Sequence, residues 1–155
     1  LNCEYFGIDS CKKFIDTGRE TMAQFGLIKE NLQHLRIEDF RGEVDHVLCM
    51  NTLTYLDHYF RPLERMLLSA RKTVVLRESF KENAEYNYVV DKYLDPDRPI
   101  KVPVNHYSKS ETKAFMESYG FKVEFLTDKR SQGQPEMVID YPHHWTFCVA
   151  TKVKK

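Results

Sequence analysis

Apolar and polar positions alternate in two rhythms along the chain. Tyr5-Phe6-Gly7-Ile8 belongs to a short buried strand over residues 4–8. From Ser10 the spacing turns helical to residue 25, with Phe14, Gly18, Met22 and Phe25 on one face and Gly26 as the stop. Leu32 to Arg36 is a weak strand. VDHVLCM (Val44–Met50) is almost continuously apolar, as in a parallel sheet covered on both faces. Pro62 suits a first helical turn, and Leu63, Met66, Leu67 and Ala70 form its apolar stripe. TVVLRES (Thr73–Ser79) is a second buried strand, rich in β-branched residues. Ser108 and Glu111 make a capping box for a helix that stops at Gly120. Phe121–Thr127 alternates as a strand, and Trp145–Val153 is the last one.

Residues 80–107 break the rhythm. They are aromatic and charged, carry Pro96, Pro99 and Pro103, and read as an excursion from the core of a single domain spanning 1–155. The order of elements predicts an α/β fold. No helix separates the final two strands, which predicts that they are antiparallel neighbours.

Composition narrows the function classes. Of 155 residues, 23 are Lys or Arg and 23 are Asp or Glu, so there is no basic excess to displace counterions from nucleic acid. No apolar run approaches the roughly 18 residues of a membrane helix. Cys3, Cys11, Cys49 and Cys148 are scattered without a CxxC pair, which argues against a metal site. Cys49 and Cys148 sit in apolar runs and read as reduced core thiols, consistent with a cytoplasmic protein.

One acid stands out. Asp9 closes the first apolar run just where a helix begins. In open α/β sheets ligands bind beyond the carboxyl ends of the strands, and a carboxylate there can accept both hydroxyls of a ribose. It can equally cap the helix.

Taken in order, four stretches resemble class I S-adenosylmethionine-dependent methyltransferases. YFGIDSCKKFIDTGRE is similar to that family's second strand and following helix. EDFRGEVDHVLCMNTLTYLDH is similar to its fourth-strand region. HYSKSETKAFMESYGFKVE is similar to its late helix, ending in Gly-Phe before a strand. WTFCVATK is similar to its final antiparallel strand. The resemblance implies a Rossmann-like, mostly parallel sheet with helices on both faces and one antiparallel strand near the C-terminus. It implies S-adenosyl-L-methionine as cofactor, with Asp9 on the ribose hydroxyls and Ile8 and Ser10 flanking it. The backbone of Ile37 would face adenine, Cys49, Met50 and Asn51 would run past the sulfonium, and Leu53 would pack nearby.

The sequence departs from the family pattern twice. The glycine-rich loop and its central strand are absent, which implies roughly 40–60 residues upstream of Leu1. The usual adenine-contacting acid is replaced by Arg36, with Glu38 as the substitute.

The acceptor side offers His106, just before the late helix, as a general base or substrate contact. The alternative is a surface loop histidine. Glu78, at a strand end, could bind a substrate amine or hydroxyl, or pair with Arg77 or a lysine. In YPHHW, Trp145 reads as packing and His144 stays open as a third catalytic candidate. Tyr86, Tyr88 and Tyr93 would wall a pocket for a small polar or ring-containing substrate, or form a lid or homodimer contact. The leading expectation is methyl transfer to oxygen or nitrogen of a small molecule. The alternative is a catalytically silent scaffold or regulatory subunit of the same fold. An NAD-binding domain is disfavoured by the terminal antiparallel strand and the Gly-Phe signature.

Overall fold

In the computed structural model, which describes residues 3–93 and 96–154, the backbone divides into two units, Leu1–Gly42 and Glu43–Lys155.

The smaller unit is built around Leu32. Strand β1 (Gly7–Asp9) runs parallel to β2 (Leu32–His34), with Gly7 opposite Leu32. Helix α1 (Lys12–Met22) joins them. A Cβ at Gly7 would lie 2.5 Å from Leu32 Cδ2, and one at Gly18 would lie 3.1 Å from Leu32 Cδ1. The two glycines therefore make the space that the leucine fills. Of the expected face of α1, Gly18 packs here, but Phe14 and Phe25 are exposed and Ile15 is buried instead. The helix ends at Met22, and residues 23–25 continue as a 3-10 turn before Gly26 at φ +74°.

The larger unit is organised by one long strand, β4 (Ala70–Lys81). Strand β3 (Val44–Met50) pairs with it in parallel from Ala70 to Arg77. Its other neighbour, β10 (Trp145–Lys152), is antiparallel, and β7 (Phe121–Thr127) is antiparallel to β10. The predicted antiparallel pairing of the last two long strands is therefore present.

Residues 80–107 contain two strands. After β3 ends, β6 (Ile100–Ser108) joins β4 in parallel at Phe80 and Lys81, and β5 (Glu85–Asp91) runs antiparallel to β6 along its whole length. The six-stranded sheet is consequently mixed, with three antiparallel and two parallel pairings, rather than mostly parallel. Pro103 is accommodated because β6 has a partner on only one edge there.

Helices α2 (Phe60–Ser69) and α3 (Lys109–Ser118) touch through Phe60 and Phe115, whose ring centroids are 5.3 Å apart. In this unit the two share one face of the sheet instead of covering both. They bury Leu63, Leu67, Val74, Leu76, Met116 and Cys148. Strand β3 alternates accordingly: Cys49 is buried, while Leu48 and Met50 are exposed. Ser108 caps α3 as predicted, its hydroxyl accepting the Glu111 N–H. A hairpin of β8 (Glu136–Val138) and β9 (Tyr141–His143) precedes β10.

Candidate functional site

In the smaller unit, Asp9 lies at the carboxyl end of β1 and is exposed. Its Oδ1 accepts the Cys11 N–H at 2.6 Å, so one oxygen caps the start of α1. The other oxygen has no partner among the described residues. Ile8 is half-buried and Ser10 exposed; the Ser10 carbonyl accepts from His34 Nε2 at 3.0 Å. Ile37 to Asp39 form a 3-10 turn. Glu38 is paired with Arg36 at 3.1 Å, so the guanidinium at the unexpected position faces the very acid proposed to substitute for it.

In the larger unit, the turn that follows β3 is held from below by two consecutive residues of β4. Asn51 takes a left-handed backbone, φ +52°. Its N–H donates to the Arg77 carbonyl at 2.8 Å, and its Oδ1 accepts from Arg77 Nη1 at 2.7 Å. On the opposite face of the strand, Glu78 accepts the Thr52 N–H on Oε1 and the Thr54 N–H on Oε2, both at 2.9 Å, while the Cys49 thiol donates to Oε1 at 3.6 Å. The Ser79 N–H donates to Thr54 Oγ1, and the Tyr107 hydroxyl to the Leu53 carbonyl at 2.6 Å. Asn51 and Thr52 stay exposed above this network.

Glu78 is fully buried. The expectation of an acid facing a crevice is thus corrected: β4 continues to Lys81, and the side chain lies inside the protein, out of reach of a substrate. Burial pushes its carboxyl above the ordinary range, opposed by the N–H groups of Thr52 and Thr54. Burial, together with the charge of Glu78, pushes the Cys49 thiol well up, so it is an inert core thiol.

Arg77 turns the other way. Its Nε donates to Asp128 Oδ2 at 2.8 Å, Nη2 lies 2.5 Å from the same oxygen, and the guanidinium sits 4.8 Å from the Trp145 ring centre. Burial works to raise the Asp128 carboxyl, but the Arg130 N–H and Arg77 hold it below the usual range.

The histidines are also rearranged relative to expectation. His106 lies on β6, not in a loop, and is fully buried. The Ser79 hydroxyl accepts the His144 N–H at 2.8 Å and lies 2.6 Å from His106 Nδ1. His106 Nε2 has no partner among the described residues. Tyr141 stacks on the ring at 5.4 Å. Burial, then Lys81, lowers this imidazole to about 4. The ring is enclosed, whereas the expectation placed it in a loop open to an acceptor.

His143 is buried against Trp145, its Nδ1 donating to the Tyr141 carbonyl and its Nε2 accepting from the Tyr55 hydroxyl. His144 is half-buried and lines a cavity of about 210 Å³ with Phe80, Lys109, Thr127 and Thr146. Burial lowers it too. Of the two proposed histidines it is the one whose ring reaches open space. Among the described residues no group of His, Cys, Asp and Glu is arranged to hold a metal ion, and no helix is long and apolar enough to cross a membrane.

Sequence reasoning missed Ser79, Thr52, Thr54 and the Arg77–Asp128 pair. The pair is separated by 51 positions and leaves no periodic trace. A lone acid inside the apolar run TVVLRES was the available signal for the Glu78 network.

No family model matches the chain, and no curated protein matches it in sequence. Solved structures match its fold. Magnesium protoporphyrin IX methyltransferase (ChlM) from Synechocystis, with bound S-adenosylhomocysteine, aligns over 97% of this chain at TM-score 0.66 and 11% identity. A SAM-dependent methyltransferase from Methanosarcina mazei aligns over 97% at TM-score 0.69 and 12% identity, covering 82% of that chain. The CcbJ methyltransferase from Streptomyces caelestis aligns over 99% at TM-score 0.65 and 13% identity, covering 81% of that chain. The chain spans 65% of the length of the Synechocystis protein. Its fold is that of the class I S-adenosylmethionine-dependent methyltransferases.

Proposed function

We propose that the chain belongs to an enzyme that transfers a methyl group from S-adenosylmethionine to oxygen or nitrogen of a small molecule. The observation that carries this reading is the fold match over 97% of the chain to a methyltransferase whose structure holds S-adenosylhomocysteine.

Each unit, taken by itself, offers residues suited to part of the cofactor. Asp9 is exposed at a strand end with one carboxylate oxygen uncommitted, as a contact to ribose hydroxyls requires. Ile8 and Ser10 would flank it, and Ile37 and Glu38 would meet adenine. Cys49, Met50 and Asn51 would follow the methionine part, with only Met50 and Asn51 exposed to touch it. When bound, the cofactor supplies an electrophilic methyl on a sulfonium. The protein's task is then to fix an acceptor in line at near-attack distance. The network beneath Asn51–Thr54 supports that task by holding the turn rigid. His144, neutral and reachable, is the candidate to take the acceptor's proton. A balanced net charge favours a small-molecule acceptor over nucleic acid.

Calorimetric titration with S-adenosylhomocysteine tests the reading. Saturable heat that Asp9→Ala abolishes or weakens at least tenfold supports it. Absence of heat favours the silent-scaffold alternative.

A further inference from the structure

Glu78 poses an electrostatic problem that the folded chain does not solve by itself. It is fully buried, and its partners are the backbone N–H groups of Thr52, Leu53 and Thr54, the Thr54 hydroxyl and the Cys49 thiol. The backbone N–H groups of Thr52 and Thr54 favour the ionised carboxylate, against the burial that raises it. No described cation pairs with it. Its neighbour Arg77 is directed to the other face of β4, toward Asp128 and Asn51. A buried charge without a countercharge is strongly disfavoured unless something of opposite sign comes near.

The place where a cation can approach is determined by the turn. Thr52, whose N–H rests on Glu78 Oε1, is exposed on its outer side, as is Asn51. A ligand on that outer side is separated from the carboxylate by one layer of backbone. The separation is roughly 7 Å, one hydrogen bond plus one van der Waals contact. Opposite unit charges at that distance, at an effective dielectric between protein and water, change an affinity by about tenfold or more.

Resting on the cofactor reading above, we propose that Glu78 is the buried countercharge for a cation seated over the Asn51–Thr54 turn, and that it makes this site favour the sulfonium of S-adenosylmethionine relative to its neutral product. Glu78 is a positioning residue in this scheme. It touches neither cofactor nor acceptor and acts through the turn and through its field.

The test compares dissociation constants of three ligands with the same nucleoside: S-adenosylmethionine, sinefungin, which carries an ammonium near the sulfonium position, and S-adenosylhomocysteine, which is neutral there. In Glu78→Gln the preference for both cations over S-adenosylhomocysteine should fall about tenfold from its wild-type value. A purely structural role would weaken all three equally, and that result overturns the proposal, as does an unchanged set. If Glu78→Gln does not fold by circular dichroism, the wild type decides: sinefungin must bind about tenfold tighter than S-adenosylhomocysteine, and equal or weaker binding overturns the proposal. Failure of the wild type to bind any of the three refutes the cofactor reading itself and takes this inference with it.

Discussion

Removing the Arg77 guanidinium tests whether the Arg77–Asp128 pair is a coupled unit. Arg77→Met keeps most of the side-chain volume but deletes two contacts to Asp128, one to Asn51 and the stacking on Trp145. The side chains of Arg77 and Asp128 are 10% and 5% exposed, so the pair is poorly solvated. Breaking a buried pair from one side costs about 3–5 kcal/mol. Asp128 keeps the Arg130 N–H at 2.9 Å, which places the expected loss at the lower end, about 3 kcal/mol. Asp128→Ala leaves the guanidinium with Asn51 and Glu136, so its loss should be smaller, about 2 kcal/mol. If the two residues act together, the double variant should cost about 3 kcal/mol rather than about 5, a coupling of about 2 kcal/mol. Equilibrium unfolding in urea at pH 7, with the linear extrapolation, measures all four corners of the cycle. Arg77→Lys should recover little, because a single ammonium cannot serve Asp128 and Asn51 at once. Losses that add within about 0.5 kcal/mol would refute the coupling.

Two further outcomes follow from burial and packing. His106 is at about 4 in the folded protein against an ordinary 6.5, so between those values the unfolded chain binds a proton that the folded chain refuses. Stability should be full above about pH 6.5 and fall toward pH 4 by about 1.4 kcal/mol per pH unit, with His143, also lowered by burial, adding in the same direction. Urea midpoints across that range measure it, and a flat profile would contradict the enclosed neutral ring. Gly7→Ala should destabilise the smaller unit by about 1–3 kcal/mol, because its Cβ would sit 2.5 Å from Leu32 Cδ2. Thermal unfolding measures the loss, and Leu32→Val in the same chain should return part of it.

Periodicity carried much of the architecture. The runs at Val44–Met50 and Thr73–Ser79, the capped helix after Ser108 and the antiparallel ending are all present. The hairpin β5–β6 was illegible because its tyrosines and prolines mimic a loop. Alternation in EYNYVVD places Tyr86, Tyr88 and Val90 outward, but on a sheet edge with a polar inner face it has little contrast. On α1 the expected face was right at Gly18, which packs on Leu32, but wrong at Phe14 and Phe25, whose size suggests burial while the smaller Ile15 fills the interior. Among the candidate residues, Asp9 could be picked from its place at a strand end. Glu78 and His106 could be picked as unusual but not located, since a one-dimensional pattern cannot tell an acid or imidazole at a crevice from one sealed beneath it. Burial arises from pairings such as Glu78 with Thr52 and His106 with Ser79, which lie 26 and 27 positions apart.

Strand β6 has a graded character along its length. Its last five residues, Val104 to Ser108, are all buried, and Asn105, His106 and Tyr107 reach Leu56, Ser79 and Leu53. Its first residues, like the outward positions of β5, lie in water and meet β4 nowhere. The arm meets β4 at one end only, and farther out Tyr88 and Tyr93 bond Asp57 and Asp140. Loss of the Asn105 amide or the Tyr107 hydroxyl would remove bonds to Leu56 and Leu53, beside the turn that Glu78 also holds.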